Sequence, residues 1–203
     1  MLAKSTNNIH NALRHGLIIG AGAFFLAILA SLGAKVLLDN ITSLIIALIL
    51  LLIIILIGII FDIIGVAAAA ADQAPLNAKC AKKIHGAAHA IGLVRNADKV
   101  ASFCNDVVGD VSGTLSGAVG ATIVLRIILY APSFNEVIIA TLMTSLIAAL
   151  IVAGKAFGKT YAIRKGTDII FNSGRLLEWM ERNLKIRIIQ DARSKRQEAR
   201  CKK

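Results

Sequence analysis

The sequence predicts an all-α membrane protein, a polytopic helix bundle with four transmembrane helices and an amphipathic helix beside the membrane. Three observations carry that expectation. Ser43 to Phe61 runs nineteen residues without a charge, enough for a helix to cross a bilayer and too apolar for a surface helix. The 203-residue chain is 57% hydrophobic, with a mean hydropathy of +0.73, above an ordinary soluble domain. Both prolines, Pro75 and Pro132, lie between the apolar runs rather than inside them, as helix-terminating residues should.

The first span is expected over Gly16–Leu38, behind an arm bearing Lys4 and Arg14. Small residues near Ala30 and Ala34 offer a weak cleavage site, but an apolar stretch this long fits a retained anchor better than a signal peptide. The second span, Ser43–Ala71, contains Asp62, and the apolar pattern continues beyond it through Ile63, Ile64, Gly65, Val66 and the alanines 67–71. Asp62 therefore lies at membrane depth. An ionisable residue there is costly, and it persists mainly where it faces protein or a water-filled cavity, pairs, or handles an ion. A connection over 72–102 leads to the third span, Phe103–Tyr130, and a short one over 131–136 leads to the fourth, Val137–Ile163. Spans two and three exceed the ~20 residues needed to cross, so they tilt or emerge from the bilayer as helix.

The formal charge of +11 resembles a nucleic-acid signature until it is mapped. Lys and Arg fall almost wholly outside the apolar runs, with no basic surface interleaved with aromatics, so no nucleic-acid partner is expected. The connection 72–102 carries Lys79, Lys82, Lys83, Arg95 and Lys99, whereas 39–42 and 131–136 carry no Lys or Arg. This asymmetry predicts that both termini and the 72–102 connection face the cytoplasm, in the plasma (inner) membrane. Arg126 stands near the outer end of span three, where it can snorkel to the headgroups. Cys80, Cys104 and Cys201 are too few and scattered for a disulfide framework, and on the cytoplasmic side their thiols should stay reduced.

Span three is chemically unlike the others. Gly109, Gly113 and Gly117 recur every four residues, a spacing that lets helices approach closely. Packing does not account for Asn105, Asp106, Asp110, Ser112, Thr114 and Ser116, which bring carboxylates, an amide oxygen and hydroxyls into about three turns. Hard cations such as Mg²⁺ and Ca²⁺ take oxygen ligands of these types. Span two runs inward to Asp62, while span three reaches Asp110 about two turns, ~10 Å, from its cytoplasmic start. Both carboxylates belong in the inner half of the membrane, and Asp106 reads as a solvated residue at the helix start. The candidate metal site is therefore Asp62, Asn105, Gly109, Asp110, Ser112 and Ser116. His85 and His89 stand four apart near Cys80 but lack further ligands at a zinc spacing, and read as two exposed histidines. No phosphate-binding glycine loop, nucleophile elbow or HExxH motif occurs, so no enzyme is expected.

The order of these features resembles the membrane domain of the CorB/CorC and cyclin-M magnesium transporters. Leu93-Val94-Arg95-Asn96-Ala97-Asp98-Lys99 looks like the end of that family's cytoplasmic connection, and Gly109-Asp110 stands where the family has Gly-Asn. Gly154-Lys155-Ala156-Phe157-Gly158-Lys159-Thr160-Tyr161-Ala162 is similar to its Gly-Glu-x-x-Pro-Lys-x-x-Ala. An amphipathic juxtamembrane helix follows, with Ile169, Leu176, Leu177, Met180, Leu184 and Ile188 on one face and Arg175, Glu178, Arg182 and Lys185 on another. The resemblance covers residues 43–185 and implies a homodimer that exports Mg²⁺ through the helices flanking the connection. It also divides the chain into an N-terminal arm and extra helix (1–42), the transporter-like domain (43–185) and a basic cytoplasmic tail (186–203).

Departures from the family pattern are specific. Its Ser-Gly-x-Glu reads Ile64-Gly65-Val66-Ala67 here, its Glu becomes Lys155 and its Pro becomes Gly158. Where the family has regulatory domains, the chain has a basic tail with Lys185, Arg187, Arg193, Lys195, Arg196, Arg200, Lys202 and Lys203. That tail should hold to anionic lipid by ~1 kcal/mol per basic residue near the surface. Three functional expectations follow: a divalent-cation transporter, with Mg²⁺ as the ion; a non-transporting membrane adaptor that keeps the fold and uses the glycine face for a partner helix; or proton-coupled exchange through Asp62.

Overall fold

The computed structural model describes residues 2–41 and 43–184, leaving out the side chains of 1–12, 14, 15 and 184. The basic tail, Ile188 and Cys201 lie outside the described residues, as do the side chains of Lys4, Arg14 and Leu184. Among the described residues every regular element is helical: α1 (Leu2–Asn40), α2 (Leu44–Ala70), α3 (Gln73–Ala81), α4 (Ala87–Arg95), α5 (Ala97–Ala101), a π-helical segment (Ser102–Gly109), α6 (Asp110–Tyr130) and α7 (Glu136–Leu184). Four stretches are long and apolar enough to cross a membrane: Gly16–Asn40, Leu44–Ala70, Ala97–Tyr130 and Glu136–Asn183. The all-α, multi-pass architecture is thus the one the hydropathy predicts. Two compact units form, one from Met1–Ile59 with Asp106–Gly154, the other from Ile60–Asn105 with Lys155–Lys203.

In the first unit, Ala34 and Leu38 of α1, Ala47, Leu51, Ile54 and Ile55 of α2, Val119 and Ile123 of α6, and Ile147 of α7 form one buried cluster. Small residues set the helix separations. A Cβ on Gly58 would fall 2.8 Å from Ser112 Cβ, one on Gly120 2.4 Å from Ile147 Cδ1, and one on Gly154 2.2 Å from Ile59 Cδ1. Gly113 and Gly117, expected to let a helix approach, meet nothing within 4 Å. Close packing on α6 runs instead along Ser112, Ser116, Val119 and Ile123, the stripe beside them. Arg126 has a different task from snorkelling. Its guanidinium is half-buried and donates to the carbonyls of Leu38, which also accepts from Ile41 N–H, and of Ile41, binding the end of α1 where helical partners run out.

The second unit is built around a fold-back. Asp72 caps α3, its Oδ1 accepting from Ala74 N–H at 3.0 Å. Pro75 follows in the first turn of α3, where its missing N–H is harmless, so this proline helps start a helix rather than end one. Gly86 then adopts φ +86° ahead of α4, a left-handed conformation that favours glycine. The carboxyl-terminal part of α7, beyond a kink at Lys165 (φ −120°, ψ 20°), seats against these elements by direct backbone contact. A Cβ on Gly174 would lie 2.6 Å from Gly86 O and 2.7 Å from Ala90 N, and one on Gly166 3.3 Å from Ala67 O and Ala71 N. Ile170 joins Ala67, Ala68, Leu76, Ala87, Ala90 and Ile91 in a core of its own.

Polar contacts close the same seam. Asp72 N–H donates to Thr167 Oγ1 at 3.1 Å. Lys79 Nζ lies 3.9 Å over the Phe171 ring and 4.0 Å from Asp168. His85 Nδ1 and His89 Nε2 donate to Glu178 Oε1 and Glu181 Oε2 at 3.1 and 3.0 Å. His85 is exposed as expected, but the His89 side chain is only 10% exposed, so the reading of two exposed histidines holds for one of them. The expected apolar face of the juxtamembrane helix also splits. Ile169 and Leu177 pack on the core, while Leu176 stands outside it. The expectation of reduced thiols is corrected at Cys80, which is disulfide-bonded. Cys104 is free and buried.

Two substitutions test this packing. Gly174→Val forces a branched side chain against backbone atoms that cannot yield, and should destabilise the fold by at least about 1–3 kcal/mol. Arg126→Met leaves two carbonyls without their charged donor and should cost roughly 1.5–3 kcal/mol. Both are read as lowered thermal midpoints in detergent, with Gly174→Ala expected to fall between Gly174→Val and the native chain.

Candidate functional site

One stripe of α2 builds the site. Ala47, Leu51, Ile54, Gly58, Asp62 and Gly65 follow one another at spacings of four or three, and all are buried, which is the period of a single helix face. The periodicity that turns leucine and isoleucine inward therefore turns Asp62 inward too. Asp62 is 4% exposed, and its Oδ2 has no hydrogen-bond partner among the described residues.

Gly65, one turn further along that stripe, makes room for a second oxygen. A Cβ at Gly65 would fall 2.1 Å from Asn105 Oδ1 and 3.1 Å from Cys104 Cβ. Asn105 is carried by the π-helical segment, whose widened turns replace the regular helical start expected for span three; such segments are frequent at functional sites. Asn105 Oδ1 is buried and, like Asp62 Oδ2, lacks a hydrogen-bond partner. Positions three apart on a helix are neighbours, about 5–6 Å between Cβ atoms. The carboxylate and the amide oxygen thus meet the same short stretch of the buried face of α2.

The other polar side chains of the spans behave differently. Ser116 is fully buried, and its hydroxyl donates to Ser112 O at 2.7 Å. Thr114 donates to the carbonyls of Asp110 and Val111, and Thr122, Thr141, Thr144 and Thr160 each bond back to the preceding turn, the usual way a helix satisfies a hydroxyl in apolar surroundings. Among the described residues, Asp62 Oδ2 and Asn105 Oδ1 are the buried side-chain polar atoms left without a partner.

Of the six residues singled out in the sequence, Asp62 and Asn105 fall in the second unit, and Gly109, Asp110, Ser112 and Ser116 in the first. Gly109 and Ser112 are buried, Ser112 against Gly58, while Asp110 opens α6 in an exposed position and Asp106 is exposed. No group of three or more His, Cys, Asp and Glu among the described residues is placed to hold a metal. Asp62 and Asn105 offer something sparser, one carboxylate oxygen and one amide oxygen of the hard type that alkaline-earth ions take. Gly65 is the residue that sequence reasoning missed as a site element; its signal is a lone glycine three residues beyond an intramembrane acid.

Leaving a polar atom buried and unsatisfied costs about 1–3 kcal/mol, and more when it is charged. Asp62→Asn, which removes the charge at nearly constant shape, should therefore leave the cation-free protein as stable as the native chain or more stable. Any stabilisation by an added divalent cation should be lost in the same variant. Thermal unfolding in detergent, with and without Mg²⁺, measures both effects, and a marked loss of stability in cation-free Asp62→Asn would contradict the reading.

No family model, curated protein or solved structure matches this chain, so its functional reading rests on these residues.

Proposed function

We propose that this chain is a multi-pass membrane protein that moves a hard divalent cation, with Mg²⁺ as its cargo, and that Asp62 and Asn105 hold the ion. The observation that carries the reading is that Asp62 Oδ2 and Asn105 Oδ1 are buried acceptor oxygens with no hydrogen-bond partner among the described residues, Asn105 Oδ1 coming against Gly65, three residues along α2 from Asp62. A carboxylate retained in that state at membrane depth is strong grounds for a functional role, because natural membrane helices otherwise place such groups rarely. Mg²⁺ dehydrates reluctantly and is commonly held by one or two carboxylates with several of its waters. One carboxylate and one amide oxygen suit a partly hydrated ion better than a fully dehydrated one.

The resemblance to the CorB/CorC and cyclin-M membrane domain supports the same cargo and a homodimer. The distribution of Lys and Arg supports cytoplasmic termini and a plasma-membrane location. Asp110 stands where that family has Asn and would add a negative charge of its own. Release of the ion would then require a conformational change that weakens the carboxylate contacts.

A non-transporting adaptor is the second reading, and one observation favours it. Gly113 and Gly117 present an open small-residue face on α6, which a partner helix can use.

Mg²⁺ flux from proteoliposomes loaded with a fluorescent indicator separates the two. Transport predicts flux above empty liposomes that collapses in Asp62→Asn and falls severalfold in Asp110→Ala. An adaptor predicts no flux from folded native protein, together with loss of a co-purifying partner in Gly113→Leu.

A further inference from the structure

The carboxyl-terminal part of α7 carries a second face that the packing of its core face leaves open. Gly166, Ile170 and Gly174 are buried against the second unit's core. On the opposite side Leu176, Trp179 and Arg182 are exposed, with Leu176 at 57% and Trp179 at 60%, and Arg175, whose stem lies against Gly86, is exposed as well. Leu176 and Trp179 stand three apart and so form one apolar ridge, with Arg182 one turn beyond Trp179 and Arg175 at its start, between the ridge and the seam. The acidic side chains of this segment are engaged elsewhere: Asp168 by Lys79, Glu178 by His85 and Glu181 by His89. The exposed face is left with net positive charge.

We propose that the Leu176–Trp179 ridge docks on acidic lipid headgroups of the membrane that α7 spans. Tryptophan is the side chain most at home where hydrocarbon meets water, since its ring is apolar and its N–H needs a polar neighbour. Arginine complements it, its stem lying along apolar surface while the guanidinium reaches phosphate. Helix continuity keeps the ridge within reach of the surface, because Arg175 follows the kink at Lys165 by ten residues, or about 15 Å of helix. Net positive charge selects an acidic lipid surface over a neutral one. This contact is separate from any made by the tail beyond residue 184. Docking would fix the juxtamembrane helix from outside while the glycine seam fixes it from inside, so lipid composition would bear on the element that covers the core beside Asp62.

Trp179 is the single tryptophan of the chain, so its fluorescence reports this face alone. The full chain is reconstituted in phosphatidylcholine vesicles and in vesicles with one quarter phosphatidylglycerol. Lipids brominated near the glycerol end or near the terminal methyl, and iodide on both sides of the membrane, serve as quenchers. Docking predicts stronger quenching by the shallow bromines than by the deep ones, with weak iodide quenching, most pronounced in the acidic vesicles. Arg182→Gln, a change at an exposed position, should lower the ratio of docked to undocked helix about fivefold in acidic vesicles and leave it nearly unchanged in neutral ones. Iodide quenching that is equally strong in both vesicle types would overturn the proposal. So would protection from iodide without bromine quenching, which would mean that a protein partner or a second copy covers the ridge.

Discussion

The second unit depends on a seam in which backbone touches backbone. Gly166 meets the carbonyl of Ala67 and the amide of Ala71, and Gly174 meets the carbonyl of Gly86 and the amide of Ala90. A Cβ at Gly174 would overlap backbone atoms, and one at Gly166 would be tight against them. With these glycines present, α7 lies close enough for Ile170 to enter the core made by Ala67, Ala68, Leu76, Ala87, Ala90 and Ile91, where dense contact supplies the dispersion energy that holds apolar interiors together. Ile63, Ile64 and Val66, the neighbours of Asp62 and Gly65, pack on that core. The seam therefore also governs how firmly the stretch of α2 bearing Asp62 is held.

Hydropathy made the helices legible because a lipid-crossing helix must satisfy its own backbone and show an apolar surface over its whole length. Gly16–Asn40 and Leu44–Ala70 follow directly from that rule. The same uniformity hides which face of α2 turns inward, since Ile45 and Ile46 on the open side are as apolar as Leu51 and Ile55 within. Only glycine, alanine and the single carboxylate betray the stripe, and they are legible once Ala47, Gly58, Asp62 and Gly65 are set at helical spacing. The fold-back of α7 was less accessible. A helix read alone shows an amphipathic pattern, but whether Leu176 or Leu177 faces the core is decided by where Gly166 and Gly174 find backbone to rest on. The burial of His89 has the same cause, its partner Glu181 lying 92 residues away with no local spacing to announce it.

Arg126 shows how a charge in a span can have a structural purpose. A guanidinium near a membrane boundary reads as a snorkelling group, and its polarity alone is consistent with that. In the fold it binds the carbonyls of Leu38 and Ile41 at the end of α1, adding a charged donor where helical N–H groups run out. The charge is retained because it completes the hydrogen bonding of a helix end. A structural account of this kind explains an intramembrane ionisable residue without any ligand.

Asp62 does not admit that account. Among the described residues its Oδ2 completes no helix end and joins no hydrogen bond, and the side-chain oxygen that comes to the same stretch of α2, Asn105 Oδ1, is another acceptor. A buried acceptor is satisfied only by a donor or a cation. The hydroxyls of Ser116 and Thr114, in neighbouring turns of the same chain, show how simply a helix disposes of a polar group when nothing else requires it. Replacing Asp62 by leucine would continue the stripe of Leu51 and Ile54 with no polar atom to satisfy, and a change to alanine at Gly65 would exclude Asn105 Oδ1 from its place. The sequence does neither. A buried carboxylate and a buried amide oxygen, each without a hydrogen-bond partner among the described residues, favour a site whose missing partner is positively charged, and this is why the cation reading is preferred to one in which the polar residues of span three are remnants of a lost activity.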